Sequence, residues 1–153
     1  MLNLQEDLKI ARIVRNRSRC ECSKYAVGAV LKCKNGLRYS GCNIENDGIQ
    51  SICAERVAFV KAMSDGEYEF ERILIIGAKK DSDDYEKCLP CGYCRQFMSQ
   101  FVDKDFKIYT AFGDKVEEYT MEELFPHQFH IWNDVGKVFY IFLQYLKLFV
   151  KVK

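Results

Sequence analysis

Two cysteines at the opening of one helix and a third at the opening of another constrain this chain more than any other feature. Cys91-Gly92-Tyr93-Cys94 follows Pro90 and leads into Arg95, Gln96, Phe97 and Met98. A Cys-x-x-Cys pair there puts two sulfurs on the first helical turn, where the backbone dipoles help keep them ionised. Two sulfurs do not close a tetrahedral zinc site, so a further ligand must come from elsewhere. Cys53 is the best candidate, because it stands where a second helix begins, ahead of Ala54, Arg56, Val57, Ala58, Phe59 and Val60. Glu55, two residues on, is a carboxylate that need not touch the metal. Three protein ligands leave the fourth position of zinc open to water, the arrangement of a catalytic rather than a structural site. A nearby carboxylate can then take and return protons. Cys88 competes, since Cys88-x-x-Cys91 has the same spacing. Pro90 disfavours it by fixing Cys91 at the helix start and leaving Cys88 in the preceding loop.

Around these motifs the pattern alternates. Leu4, Leu8, Ile10, Ala11 and Val14 recur at helical spacing and predict an amphipathic first helix, followed by a polar, basic loop over 15–24. Tyr25 to Lys32 reads as a buried strand, Lys34-Asn35-Gly36 as a hairpin turn, and Leu37 to Asn43 as the returning strand. A polar loop from Glu45 to Ile52 precedes the helix from Cys53 to about Ser64, which Asp65-Gly66 should stop. Ile73-Leu74-Ile75-Ile76-Gly77-Ala78 is a continuous apolar run, as in a strand covered on both faces. Pro90 is expected to start a helix reaching about Phe101. Phe106 to Ala111 alternates like a strand, and Asp114 to Tyr119 reads as a further one. Thr120-Met121-Glu122-Glu123 is a capping box opening a short last helix. Strands and helices in alternation predict a three-layer α/β/α sandwich.

At 153 residues, 48% hydrophobic and 29% charged, the chain reads as one soluble globular domain. A net charge of +1 lacks the basic excess of a polynucleotide binder, so no nucleic-acid partner is expected. The first residues show no signal peptide, and eight cysteines without one fit a reducing compartment; the cytoplasm is the expected location.

The motifs in their order resemble the small, homotetrameric, three-cysteine type of cytidine deaminase. The likeness runs through Ala26-Val27-Gly28-Ala29, Gly41-Cys42-Asn43-Ile44-Glu45-Asn46, Ile52-Cys53-Ala54-Glu55-Arg56, Pro90-Cys91-Gly92-Tyr93-Cys94-Arg95-Gln96 and Glu123-Leu124-Phe125-Pro126. It implies a mixed five-stranded sheet, one Zn2+ per chain on Cys53, Cys91 and Cys94, and a homotetramer. It implies Glu55 as proton shuttle in the hydrolysis of cytidine and deoxycytidine to uridine and deoxyuridine, serving pyrimidine salvage. Three thiolates on Zn2+ leave a net negative site that would raise the pKa of bound water, so charge must be drawn from the sulfurs. Arg56 is the side chain placed to do so, as in the family resembled; Arg95 is the other nearby cation. By position Asn43 and Glu45 inherit the ribose contacts, Tyr25 a base-pocket wall, and Phe129 a ring that reaches a neighbouring subunit's site.

Two departures bear on substrate. Cys22 stands where relatives usually carry Tyr, and the loop from Asp47 to Ile52 is a residue shorter than the usual form and lacks its Ala-Ser-Tyr or Ala-Cys-Tyr segment. A deaminase of a blasticidin-type nucleoside is therefore an alternative, although relatives of that sort lack the Glu present here as Glu45. A deoxycytidylate deaminase would use His as first ligand. A non-catalytic structural zinc module would need a fourth closing ligand. The likeness ends near Phe129, which divides the chain into a catalytic domain over 1–132 and an apolar, basic extension over 133–153. The run Val138 to Leu143 is too short and too interrupted by lysine to span a bilayer. A helix packed on the body or on a neighbouring subunit is expected there, with binding to a membrane surface as the alternative.

Overall fold

The computed structural model describes residues 4–129. The first helix, α1, spans Gln5–Arg15 and is followed by the hairpin β1 (Tyr25–Cys33) and β2 (Arg38–Cys42). Then come α2 (Ala54–Ser64), β3 (Phe70–Lys79), α3 (Gly92–Met98), β4 (Lys107–Phe112), β5 (Lys115–Thr120) and α4 (Met121–Leu124). The five strands form one sheet in the order β2-β1-β3-β4-β5. Only β3 and β4 run parallel, with Arg72 opposite Lys107 and Ile75 opposite Thr110. The sheet is thus mixed, as expected.

The strands are apolar on both sides because both faces are covered. Val30, Leu74, Ile76, Tyr109 and Ala111 face α1 through Ala11, Leu8 and Leu4. Ala29, Leu31, Ile73, Ile75 and Ile108 face the other way, onto Ala58 and Phe59 of α2, Met98 of α3 and Met121 of α4. Burying such side chains contributes on the order of 1.5–3 kcal/mol each relative to leaving them in water. Phe59 anchors this larger cluster, edge-on to Phe70 at 4.9 Å between ring centres.

Gly41 explains how α2 is seated. A Cβ at that position would lie 2.3 Å from the Ala54 carbonyl oxygen and 2.7 Å from the Ala58 nitrogen, so only glycine lets the helix lie directly on β2. That contact fixes the helix start from which Cys53 and Glu55 project.

Some boundaries differ from the sequence reading. Arg15 belongs to α1 rather than to the basic loop, and it is buried. Its Nε donates to the Ala26 carbonyl at 3.2 Å, and Nη2 donates to the carbonyls of Lys79 and Ser82 at 2.7 Å each. The side chain expected in a loop thus ends α1 instead, and its fork ties that helix to β1, to the end of β3 and to the loop that follows. Pro90 lies one residue before the extended N-cap Cys91, so α3 starts at Gly92; it stops at Met98, short of Phe101. The capping box stands as expected: Thr120 accepts from the Glu123 amide, and Glu123 accepts from the Thr120 amide.

Asp7 was unforeseen on an amphipathic helix. Its side chain is fully buried and accepts from Nε of Arg38 at 2.6 Å and from Nε and Nη2 of Arg72 at 3.0 and 2.8 Å. Among the described residues, no helix is long and apolar enough to cross a membrane. The extension over 133–153 lies outside the described residues.

Candidate metal centre and active site

Cys53 is the N-cap of α2 and Cys91 the N-cap of α3, both in extended backbone. Cys94 lies one turn into α3 and is buried. The sheet brings these two helix starts together, and the ligand atoms of Cys53, Cys91 and Cys94 all lie within 4.8 Å of one another. Cys53 Sγ and Cys91 Sγ are 3.9 Å apart. A tetrahedral zinc with Zn–S bonds of about 2.3 Å requires an S–S edge of about 3.8 Å, so the donor set fits that ion. All eight cysteines are free, so no disulfide competes for these sulfurs.

The electrostatics also call for a cation. A bond from the Cys94 thiol, helped by Arg56 and Cys91, holds Cys53 down at about 5 despite its burial. Cys94 is pushed far above the ordinary thiol range, first by that bond to Cys53 and then by burial and the Glu55 charge. Thiolates at Cys53 and Cys94 together are thus disfavoured in the absence of a positive charge, and a cation between them would relieve that.

Glu55 sits in the first turn of α2 and is only 4% exposed. Burial pushes its carboxyl up to about 7, with the Cys53 charge adding to the effect while its own backbone amide and Cys94 oppose it. A carboxyl poised near neutrality can both accept and release a proton. Arg56 Nη2 contacts Cys53 Sγ at 3.9 Å and donates to the Ser51 carbonyl at 3.2 Å. Arg95 takes no part in the sulfur cluster. Its Nε donates to the Pro90 carbonyl at 2.7 Å and its Nη1 to the Leu124 carbonyl at 2.9 Å, which fastens the start of α3 to α4.

The residues read as substrate contacts are placed less uniformly. Glu45 Oε2 accepts from the amides of Cys22 at 2.8 Å and Ser23 at 3.1 Å, which hold the carboxylate in place; the Ser23 hydroxyl first, and these amides after it, hold its pKa down. Cys22 acts here through its backbone, so the exchange of Tyr for Cys leaves that contact intact. Asn43 is mostly taken up within the fold: Oδ1 accepts from the Val27 amide at 2.8 Å and from Ser18 Oγ, and Nδ2 donates to the Tyr25 carbonyl at 2.9 Å. One amide N–H is left for a ligand. Tyr25 lies over Gly77, where a Cβ would be 2.7 Å from the tyrosine ring and 2.8 Å from Cys88 Sγ. Burial pushes both the Tyr25 hydroxyl and the Cys88 thiol up to about 12. Phe129 is not gathered into this group: its carbonyl accepts from Gln96 at 2.8 Å and Gln100 at 3.2 Å, and it is 66% exposed. The short 47–52 loop is closed at its base by paired backbone bonds of 2.9 Å between Ile44 and Ile52, with Ile49 99% exposed at its tip.

The family model described as the cytidine and deoxycytidylate deaminase zinc-binding region matches residues 1–110. The chain belongs to that family. A cytidine deaminase from Sporosarcina psychrophila is 33% identical over 130 residues, covering 84% of this chain and 92% of that protein. A blasticidin-S deaminase from Bacillus cereus is 30% identical over 129 residues, covering 80% of this chain and 91% of its own. The crystal structure of cytidine deaminase from Burkholderia pseudomallei superposes with a TM-score of 0.73 at 27% identity, over 84% of this chain and 100% of that one. With the three-cysteine cluster, these place the chain among the zinc-binding hydrolases of the cytidine deaminase type.

Within this deaminase, sequence reasoning missed Tyr93. The Arg56 guanidinium stacks 4.3 Å from the centre of its ring. A signal existed: once two helix starts share a metal, their first-turn side chains must face one another. Cys88 stays outside the sulfur cluster and is held by its amide donating to Thr110 Oγ1 at 3.3 Å. Replacing Cys88 by Ala is expected to leave zinc content near the wild-type value, measured by atomic absorption. Loss of the metal in that variant would move the ligand assignment to Cys88.

Proposed function

We propose that this deaminase hydrolyses free cytidine and deoxycytidine to uridine and deoxyuridine with release of ammonia. The observation that carries this reading is the buried Glu55 carboxyl beside three sulfurs spaced for zinc. Cys53, Cys91 and Cys94 would hold one zinc per chain, which when bound supplies Lewis-acid activation of the attacking water. Glu55 does the proton work. It takes a proton from that water and places it on ring N3, making C4 electrophilic; the hydroxide so formed adds to C4, and Glu55 carries the proton of the added hydroxyl to the amino group, so that the C4–N bond breaks, ammonia leaves and the C4 carbonyl of the uracil ring remains. Arg56 draws charge from the sulfurs. Glu45 receives ribose hydroxyls, with Asn43 adding its remaining N–H, and Tyr25 walls the base.

We further read the chain as a homotetramer serving pyrimidine salvage in the cytoplasm, with residues 1–132 catalytic and 133–153 an extension. Ile49, Val60, Phe101 and Phe129 are apolar and exposed, which supports a covered surface in the assembly and a role for Phe129 in a neighbouring site. A structural zinc module fits less well, because the cluster found among the described residues has three ligands and not four.

A second reading, deamination of a blasticidin-type nucleoside, is favoured by the likeness to the Bacillus cereus enzyme and by the short 47–52 loop. Against it stands Glu45, oriented by the Cys22 and Ser23 amides. The two are separated by ammonia release from cytidine, deoxycytidine, deoxycytidylate and blasticidin S. The proposed function predicts the two nucleosides as the preferred substrates by kcat/KM. Preference for blasticidin S would instead assign the short loop to a rebuilt pocket, and preference for deoxycytidylate would overturn both.

A further inference from the structure

Tyr93 lies between two of the clustered cysteines, yet it is 68% exposed, so core packing does not explain where its ring goes. The ring lies under the guanidinium of Arg56 from the facing helix, 4.3 Å from its central carbon. The same guanidinium meets Cys53 Sγ through Nη2 at 3.9 Å, and the Cys94 sulfur lies in the same cluster and helps hold the arginine charged. Arg56 Nε is buried and has no hydrogen-bond partner among the described residues. A long arginine in a first helical turn otherwise tends to carry its charged end into solvent. Here the stacked ring and the Ser51 carbonyl, which accepts at 3.2 Å, hold it back.

We propose that Tyr93 is a positioning residue for the metal centre: its ring keeps the Arg56 guanidinium on the Cys53 and Cys94 sulfurs and shields it from water. This rests on the reading of Cys53, Cys91 and Cys94 as the zinc ligands. Two effects combine. Cation–π attraction to an electron-rich ring fixes the guanidinium plane. Excluding water lowers the local dielectric and strengthens its pull on the thiolates. Partners that orient and neutralise metal ligands typically change metal affinity about 10- to 100-fold when removed, and an indirect partner should fall below that range.

The test is zinc affinity by competition with a chromophoric chelator, for the wild-type protein and for Tyr93→Ala and Tyr93→Phe. Tyr93→Ala is expected to weaken zinc binding roughly three- to tenfold, below the range for direct partners, while Tyr93→Phe, which keeps the ring, stays within about twofold. The cobalt-substituted protein should show a shifted thiolate-to-metal absorption band in Tyr93→Ala and not in Tyr93→Phe. In an Arg56→Gln background, Tyr93→Ala should cost nothing further, because its effect passes through the arginine. Unchanged affinity in Tyr93→Ala, or an equal loss with and without Arg56, would overturn the proposal. A wild-type protein that binds no zinc would instead overturn the ligand reading beneath it.

Discussion

Replacing Glu55 by Gln should leave zinc in place and remove nearly all turnover. Glutamine has the same shape and hydrogen-bonding reach, so the seat of α2 on Gly41 and the sulfur cluster stay as they are. What it lacks is a proton that comes and goes near neutral pH. General acid–base groups contribute about 10²- to 10⁴-fold, and Glu55 is asked to serve more than one transfer, which points to the upper part of that range. At 4% exposure, bulk water has little access to take over its work. The check is kcat on cytidine alongside zinc content. A variant that keeps its metal and more than about a tenth of wild-type turnover would remove Glu55 from this role, since that loss is below the usual contribution of such a group.

The largest effect on stability is expected at Asp7. Its carboxylate is fully buried and joins α1 to the sheet through Arg38 and Arg72. Asp7→Asn would leave Arg72, itself buried, facing an uncharged amide. Breaking a buried pair by removing one partner costs about 3–5 kcal/mol. Arg38 keeps Glu6 at 2.8 Å and Arg72 keeps Glu71, so the lower end applies. For a chain of this size each kcal/mol moves Tm by about 2–4 °C, so a fall of roughly 6–12 °C is expected. Asp7→Leu combined with Arg72→Met should recover much of the loss, because apolar replacement of a whole buried pair is often neutral. Thermal unfolding followed by circular dichroism reads both. A single variant within about 1 kcal/mol of wild type would show the network contributes no more than a surface ion pair.

Asp7 also marks where the sequence stopped being informative. The spacing of Leu4, Leu8, Ala11 and Val14 was enough to predict α1, and the apolar run from Ile73 was enough for a doubly covered β3. Neither pattern says that a charged residue on the same helix turns inward, because its partners Arg38 and Arg72 are far off in the chain. Arg15 misled for the same reason: its acceptors are backbone carbonyls on other elements. The metal cluster was legible because two helix starts and a Cys-x-x-Cys spacing leave few ways to assemble three sulfurs. Glu55 and Arg56 came with it. The partners of Asn43 and the ring beneath Arg56 were not, since both depend on how β1 meets β2 and how α2 meets α3.

The most direct test follows cytidine loss and ammonia release by purified protein of known zinc content, before chelation, after it, and after zinc is restored. The proposed chemistry predicts turnover that scales with zinc up to one per chain, vanishes on chelation and returns with the metal. Turnover that survives complete removal of zinc, or a fully loaded protein that leaves cytidine and deoxycytidine untouched, would contradict it.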